Sequence, residues 1–309
     1  MITASTPRPV LPCLALALAL ALAASQADAA TGTGPSLQLL PGRVRPGDAF
    51  LVRVRAGRGG PLDPARVEGD VAGRRLSFFA LDGGVAAIGA LPVETPPGPL
   101  PIRIEAGDGP LLGHLLVAAP RFPARALRVP PRFVERPDPG VQARIDDDRA
   151  AFARAFSRPA GPPLFASPFV LPRRARVTAG YGELRTLNGV KPSQHYGLDL
   201  AGPEGAPVAA SNDGEVVLVR DCWASGRTVI LRHGAGVYTA YFHLARALVV
   251  EGQRVARGQR IGRVGATGRA SGPHLHWSVR VGDLYVDPAS VLRLRLRARP
   301  QRPSRRAPP

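Results

Sequence analysis

Gly272-Pro273-His274-Leu275-His276-Trp277-Ser278-Val279-Arg280-Val281 alternates bulky and polar side chains from His276 onward, the period-two pattern of a β-strand. Two residues apart on a strand, His274 and His276 project from one sheet face with Cα atoms roughly 6.5 to 7 Å apart. At that spacing one imidazole can bind a metal while the other stands beside it. Some eighty residues upstream lies Gln194-His195-Tyr196-Gly197-Leu198-Asp199. There Gly197 lets the backbone bend so that the His195 imidazole and the Asp199 carboxylate converge on one ion. Two histidines and one carboxylate make a three-ligand shell. Zinc prefers four positions, so such a shell leaves one for water, the arrangement of catalytic rather than structural zinc. A single carboxylate keeps the site net positive, which acidifies bound water and polarises a carbonyl oxygen.

Either pair alone is weak, since a His-x-His strand is more often a satisfied surface pair than a ligand pair. The distribution of a scarce residue decides it. Of six histidines in 309 residues, five lie between His195 and His276, and His243 adds an imidazole outside the ligand set. His114 sits on a separate apolar run and reads as structural.

The stretch from about Tyr181 to Pro288 resembles the catalytic domain of the lysostaphin-like (LytM-type) zinc metallopeptidases, a family of peptidoglycan endopeptidases. The matching segments are His195-Tyr196-Gly197-Leu198-Asp199, Gly205-Ala206-Pro207-Val208, Asp213-Gly214-Glu215-Val216, His233-Gly234-Ala235-Gly236, Tyr241-Phe242-His243-Leu244, Gly258-Gln259-Arg260-Ile261-Gly262 and Gly265-Ala266-Thr267-Gly268-Arg269 leading into Gly272-Pro273-His274. Their order and spacing match as well. The resemblance implies an antiparallel all-β catalytic domain with a narrow zinc groove, with zinc held by His195, Asp199 and His276. It implies catalytic roles outside the metal shell for His243 and His274, and hydrolysis of stem or cross-link amides in peptidoglycan. Tyr196, Leu198, Phe242 and the segment 221–226 stand where relatives vary, so substrate detail is not carried over. Tyr181-Gly182-Glu183-Leu184-Arg185 and Asn188 resemble a segment that precedes the first ligand, which makes Arg185 and Asn188 candidates for substrate contact. No His-Glu-x-x-His helix is present, so a thermolysin-like scheme with a glutamate base does not apply. Relatives that have lost their ligands serve as activators of other wall hydrolases, the alternative reading; here all three ligands and both helper histidines remain.

The remainder of the chain frames this domain. One Arg, an apolar stretch from Leu11 to Ala24 and the small-residue exit Ala27-Asp28-Ala29 read as a secretory signal peptide over 1–29, giving a periplasmic or secreted protein. That apolar run is shorter than the ~20 residues of a membrane span, so no stable membrane insertion is expected. Cys13 leaves with the signal and Cys222 remains alone, expected to be a buried small residue. The net charge of +18 is carried almost wholly by arginine, which suits an anionic envelope. No nucleic-acid-binding signature accompanies it. Short apolar alternations such as Phe50-Leu51-Val52-Arg53-Val54-Arg55, Arg75-Leu76-Ser77-Phe78-Phe79, Val85-Ala86-Ala87-Ile88 and Leu100-Pro101-Ile102-Arg103-Ile104-Glu105 predict a β-sandwich-like domain over 36–120. A Pro-rich linker with one amphipathic helix, Val141–Phe156, is expected over 121–163. The catalytic domain follows over 164–292, then a basic disordered tail over 293–309.

Overall fold

The computed structural model describes residues 34–107 and 109–296. The segment 1–29, expected to be a signal peptide, and the tail from 297 onward lie outside the described residues. The protein is all-β, with a ten-stranded sheet in its C-terminal part that is antiparallel throughout and, among the described residues, one long helix.

The N-terminal alternations form two facing sheets. Ser36–Leu40, Ala49–Arg55, Gly84–Ala90 and Phe79–Leu81 make a four-stranded sheet, and Pro110–Val117 and Gly98–Glu105 lie at the centre of a five-stranded one. The expected Arg75–Phe79 run breaks into Arg74–Arg75 and Phe79–Leu81, which belong to different sheets. Alternation along Ala49–Arg55 explains how this unit attaches to the rest. Phe50, Val52 and Val54 point into the sandwich core. Ala49 and Leu51, with Ala86 and Ile88 of Gly84–Ala90, point the other way, into one apolar cluster shared with Phe165, Trp277, Val279 and Val281. The four-stranded sheet is therefore buried on both faces. Phe79 meets Phe165 edge-on at 6.1 Å, and Ala49 N–H donates to Ser290 Oγ at 2.8 Å.

The linker is more ordered than its proline content suggests. Ala124–Leu127 pairs in parallel with Leu184–Leu187, which pairs with Lys191–Gln194. Helix α1 spans Pro139–Phe156, starting two residues earlier than the sequence reading. The Asp138 side chain accepts from Val141 N–H at 2.9 Å, and Pro139 occupies the first turn, where its missing N–H has no partner to lose. Arg220 bridges Asp147 and Asp148 of this helix, and Asp148 Oδ2 accepts from Trp223 N–H at 2.8 Å, while Ala151 and Ala155 pack with Val217, Ile230 and Ala240, seating α1 on a face of the C-terminal sheet.

That sheet has ten strands. Its path runs Val177–Ala179, Leu198–Ala201, His274–Val281, Val237–Ala247, Gly226–Gly234, Gly214–Cys222, Arg254–Val255, all antiparallel. Helix α2, Pro288–Leu292, closes its far end. Leu294 and Leu296 are buried in the same cluster, so the core reaches four residues past the expected boundary at 292. The Arg-rich composition of this segment hides two inward leucines. Cys222 is free and buried, as expected.

Candidate metal centre and groove

Strand pairing brings the site together. In the antiparallel pair Leu198–Ala201 with His274–Val281, Asp199 faces His276 and Ala201 faces His274. His195 enters just after Lys191–Gln194, its N–H donated to Glu183 O at 3.0 Å. The side chains of His195, Asp199 and His276 converge: His195 Nε2, His276 Nδ1 and Asp199 Oδ1 lie 2.9 Å from one another. All three are largely withdrawn from solvent. Gly197 serves this convergence differently from the expected bend. A Cβ there would sit 2.6 Å from His276 Nε2, so glycine makes room for the imidazole.

The protons of this triangle follow from its outer partners. His195 Nδ1 lies 2.7 Å from the carbonyl of Gly180, which can only accept, so Nδ1 carries the proton and Nε2 is a bare lone pair. Ser278 Oγ donates to Tyr196 O at 2.6 Å. His276 Nε2, 2.8 Å from that oxygen, must therefore donate to it, leaving Nδ1 unprotonated. Burial pushes the His276 pKa down, so the neutral form is the one present at neutral pH. Two imidazole lone pairs and a carboxylate oxygen thus face one another without a proton between them. A metal cation satisfies all three at once, and two nitrogens with one oxygen are donors that suit zinc. The residues present fit the metal.

Asp199 is set for the same task. Its second oxygen accepts from Arg185 at 3.0 Å, and Arg185 also pairs with Glu183 at 2.7 Å. Arg185 lines the groove, but its guanidinium is engaged in holding the Asp199 carboxylate. Asn188 is placed elsewhere. Its amide exchanges two 2.9 Å hydrogen bonds with the backbone of Val129, clamping the linker and lining no part of the groove.

His243 and His274 stand beside the triangle. Their rings are 4.9 Å apart, and His274 Nε2 lies 3.7 Å from Asp199 Oδ1. Each donates Nδ1–H to a carbonyl, His243 to Thr267 at 2.8 Å and His274 to Gly272 at 2.9 Å, so each keeps a free Nε2 lone pair. His243 occupies the left-handed region at φ 61, a conformation that costs about 1–3 kcal/mol outside glycine and clusters at functional sites. Burial, with the adjacent His276 and His274, pushes its pKa down to about 3. His114 is exposed on the strand Pro110–Val117 of the N-terminal unit, outside the metal cluster.

The groove around these groups encloses about 930 Å³. Helix α1 forms one wall through Ile145, Arg149, Phe152 and Phe156, facing Tyr196, Trp223 and Tyr285. Phe152 contacts Phe242 at 6.0 Å, and Phe242 stacks flat on the His276 ring at 5.2 Å. The linking helix thus reaches the site, and sequence reading did not anticipate the role of Ser278. A signal for that role was available, because Ser278 is two residues beyond His276 and so shares its face.

Comparison with known proteins agrees with this geometry. Residues 193–288 match the model of Peptidase family M23. Curated relatives include the peptidoglycan DD-endopeptidase ShyA of Vibrio cholerae, 49% identical over 87 residues, covering 28% of this chain and 20% of that protein. Another is the DD-carboxypeptidase/endopeptidase Mpg of Neisseria meningitidis, 44% identical over 97 residues, covering 31% of this chain and 22% of its length. The chain thus spans about a fifth of the curated relatives it matches. A crystal structure of a putative peptidase M23 from Pseudomonas aeruginosa is 28% identical and superposes with a TM-score of 0.61 over 80% of this chain and 94% of that one. Over residues 193–288, which hold His195, Asp199 and His276, the chain is similar to Peptidase family M23.

Proposed function

We propose that the protein is a zinc metalloendopeptidase of the cell envelope that hydrolyses amide bonds in the stem or cross-link peptides of peptidoglycan. The observation that carries this reading is the proton-free triangle of His195, Asp199 and His276, opening onto a groove that also holds His243. The names of the curated relatives supply the substrate class. Zinc bound by these three residues would supply Lewis acidity, lowering the pKa of water and polarising a carbonyl.

The protein's own side chains account for the remaining chemistry. His243 and His274, held in the Nδ1–H tautomer by the Thr267 and Gly272 carbonyls, present Nε2 lone pairs that can accept the proton of an attacking water. Once protonated, either imidazole can donate to the tetrahedral oxyanion or to the departing amine. Burial keeps His243 neutral at working pH, so it enters the reaction as an acceptor. Arg185 occupies Asp199 Oδ2 and leaves Oδ1 directed at the metal position. The alternative, a regulator without catalysis, lacks support because no ligand or helper is missing.

Digestion of purified sacculi with and without a chelator tests the reading. Chelator-sensitive release of muropeptides whose masses show cleaved peptide amides is expected. Intact sacculi after incubation with zinc-loaded, folded protein would rule the activity out.

A further inference from the structure

Four arginines line the groove: Arg149, Arg185, Arg269 and Arg280. Three are accounted for. Arg149 pairs with Asp146 at 2.8 Å, and Arg185 with Glu183 and Asp199. Arg280 lies 4.3 Å above the Phe156 ring and donates to Gly282 O at 2.9 Å. The two carboxylates of the lining and its immediate shell, Asp148 and Asp199, are also spent, the first on Arg220 and the Trp223 amide, the second on Arg185 and the metal position. Among the described residues this leaves the half-buried guanidinium of Arg269, alone of the four, with neither a carboxylate, a carbonyl nor an aromatic ring as partner.

Its position is fixed. Arg269 N–H donates to Ala224 O at 2.7 Å, which ties its loop to the segment beside Trp223. Two residues before it, Thr267 supplies the carbonyl that orients His243. Its backbone is thus held two residues from the carbonyl that orients His243, and its side chain lines the same groove as that histidine.

We propose that Arg269 reads a free carboxylate on the substrate, so that the groove selects peptides in which the residue at the target amide carries an ionised carboxylate over those carrying a carboxamide. An arginine fork can grip a carboxylate by two parallel hydrogen bonds, which a carboxamide cannot reciprocate, because its NH2 would face a donor. Burial, and then the charge of Arg185, push the Arg269 pKa down. A partly desolvated cation beside a second cation is relieved by an arriving anion.

The inference rests on the peptidase reading for the identity of the peptide. The test is direct binding to the full, zinc-loaded chain, followed by fluorescence anisotropy. The probes are two labelled peptides containing the D-Ala to diaminopimelate amide, N-methylated to block hydrolysis, one with the adjoining carboxylate free and one with it as carboxamide. The wild type should bind the free carboxylate about tenfold or more tightly, the scale of a charge-assisted hydrogen bond. Arg269→Gln should bring the ratio of the two affinities close to one. Equal affinities in the wild type overturn the proposal without any variant, and so does a ratio unchanged in Arg269→Gln. Sacculus digestion is read separately, so a chain that digests sacculi but binds both peptides equally loses only this assignment.

Discussion

At the residue scale the two histidines of His274-Leu275-His276 share a sheet face and differ in what their rings meet. His276 directs Nδ1 at Asp199 and His195, whereas His274 Nε2 stops at 3.7 Å from Asp199 Oδ1. His276→Ala should therefore lose both zinc and activity. His274→Ala and His243→Ala should keep the metal and lose about 10²- to 10⁴-fold in rate, the usual share of a general acid or base. Metal analysis beside a muropeptide-release assay separates the outcomes, and loss of zinc from His274→Ala would reverse the assignment. Ser278 gives a finer test. Its Oγ can accept only from His276 Nε2–H because its own proton is committed to Tyr196 O. Ser278→Ala should weaken zinc binding about 10- to 100-fold, as loss of an outer partner does, measured by competition with a chromophoric chelator; unchanged affinity would show that Ser278 does not set the tautomer.

At the element scale helix α1 has two roles, as the linker's only long helix and as a wall of the groove. Its most buried polar hold on the C-terminal sheet is Asp148, which accepts from Arg220 and from the Trp223 backbone. Asp148→Ala leaves the Trp223 N–H unmatched in a partly buried place and Arg220 with Asp147 alone. It should lower stability by about 1–3 kcal/mol, visible as a reduced thermal midpoint, and a midpoint within error of wild type would mean that the apolar contacts of Phe152 and Phe156 hold the helix unaided. The strand pair that carries the site is less negotiable. Asp199 opposite His276 is a register decision, and a slip of one residue would turn each ligand to the other face.

At the scale of the whole molecule the catalytic core extends beyond its own domain, through the doubly buried sheet of Ala49–Arg55 and Gly84–Ala90. His233 lies in that core, fully buried, with Nδ1 2.7 Å from Asp213 O and Nε2 2.8 Å from Thr239 Oγ1. Burial pushes its pKa down to about 4 from the ordinary 6.5. Between those values the unfolded chain holds a proton that the folded one does not, so this residue's contribution is complete above about pH 6.5 and falls away as pH drops towards 4. The full loss is on the order of 3 kcal/mol. Denaturant midpoints measured from pH 7 to pH 4 should decline more steeply for wild type than for His233→Gln. Parallel curves would show that His233 does not govern the acid limb.

The sequence by itself singled out the three side chains that converge, His195, Asp199 and His276, the two histidines beside them, the β character of both globular parts and the existence of α1. Each of these is encoded locally, in strand periodicity, in the clustering of a scarce residue and in a capped helical run. Tertiary structure alone decided which second partners those residues take. Nothing near Asn188 in sequence announces Val129, fifty-nine residues away. Arg185, on the strand Leu184–Leu187, and Arg269, in a loop, are the same side chain, yet one is neutralised by Glu183 and Asp199 while the other lines the groove unmatched. That α1 walls the groove, and that Leu294 and Leu296 belong to the core, likewise depend on long-range packing. A side chain's chemistry is fixed by its type, but its charge state and availability depend on what the fold brings within 3 Å of it.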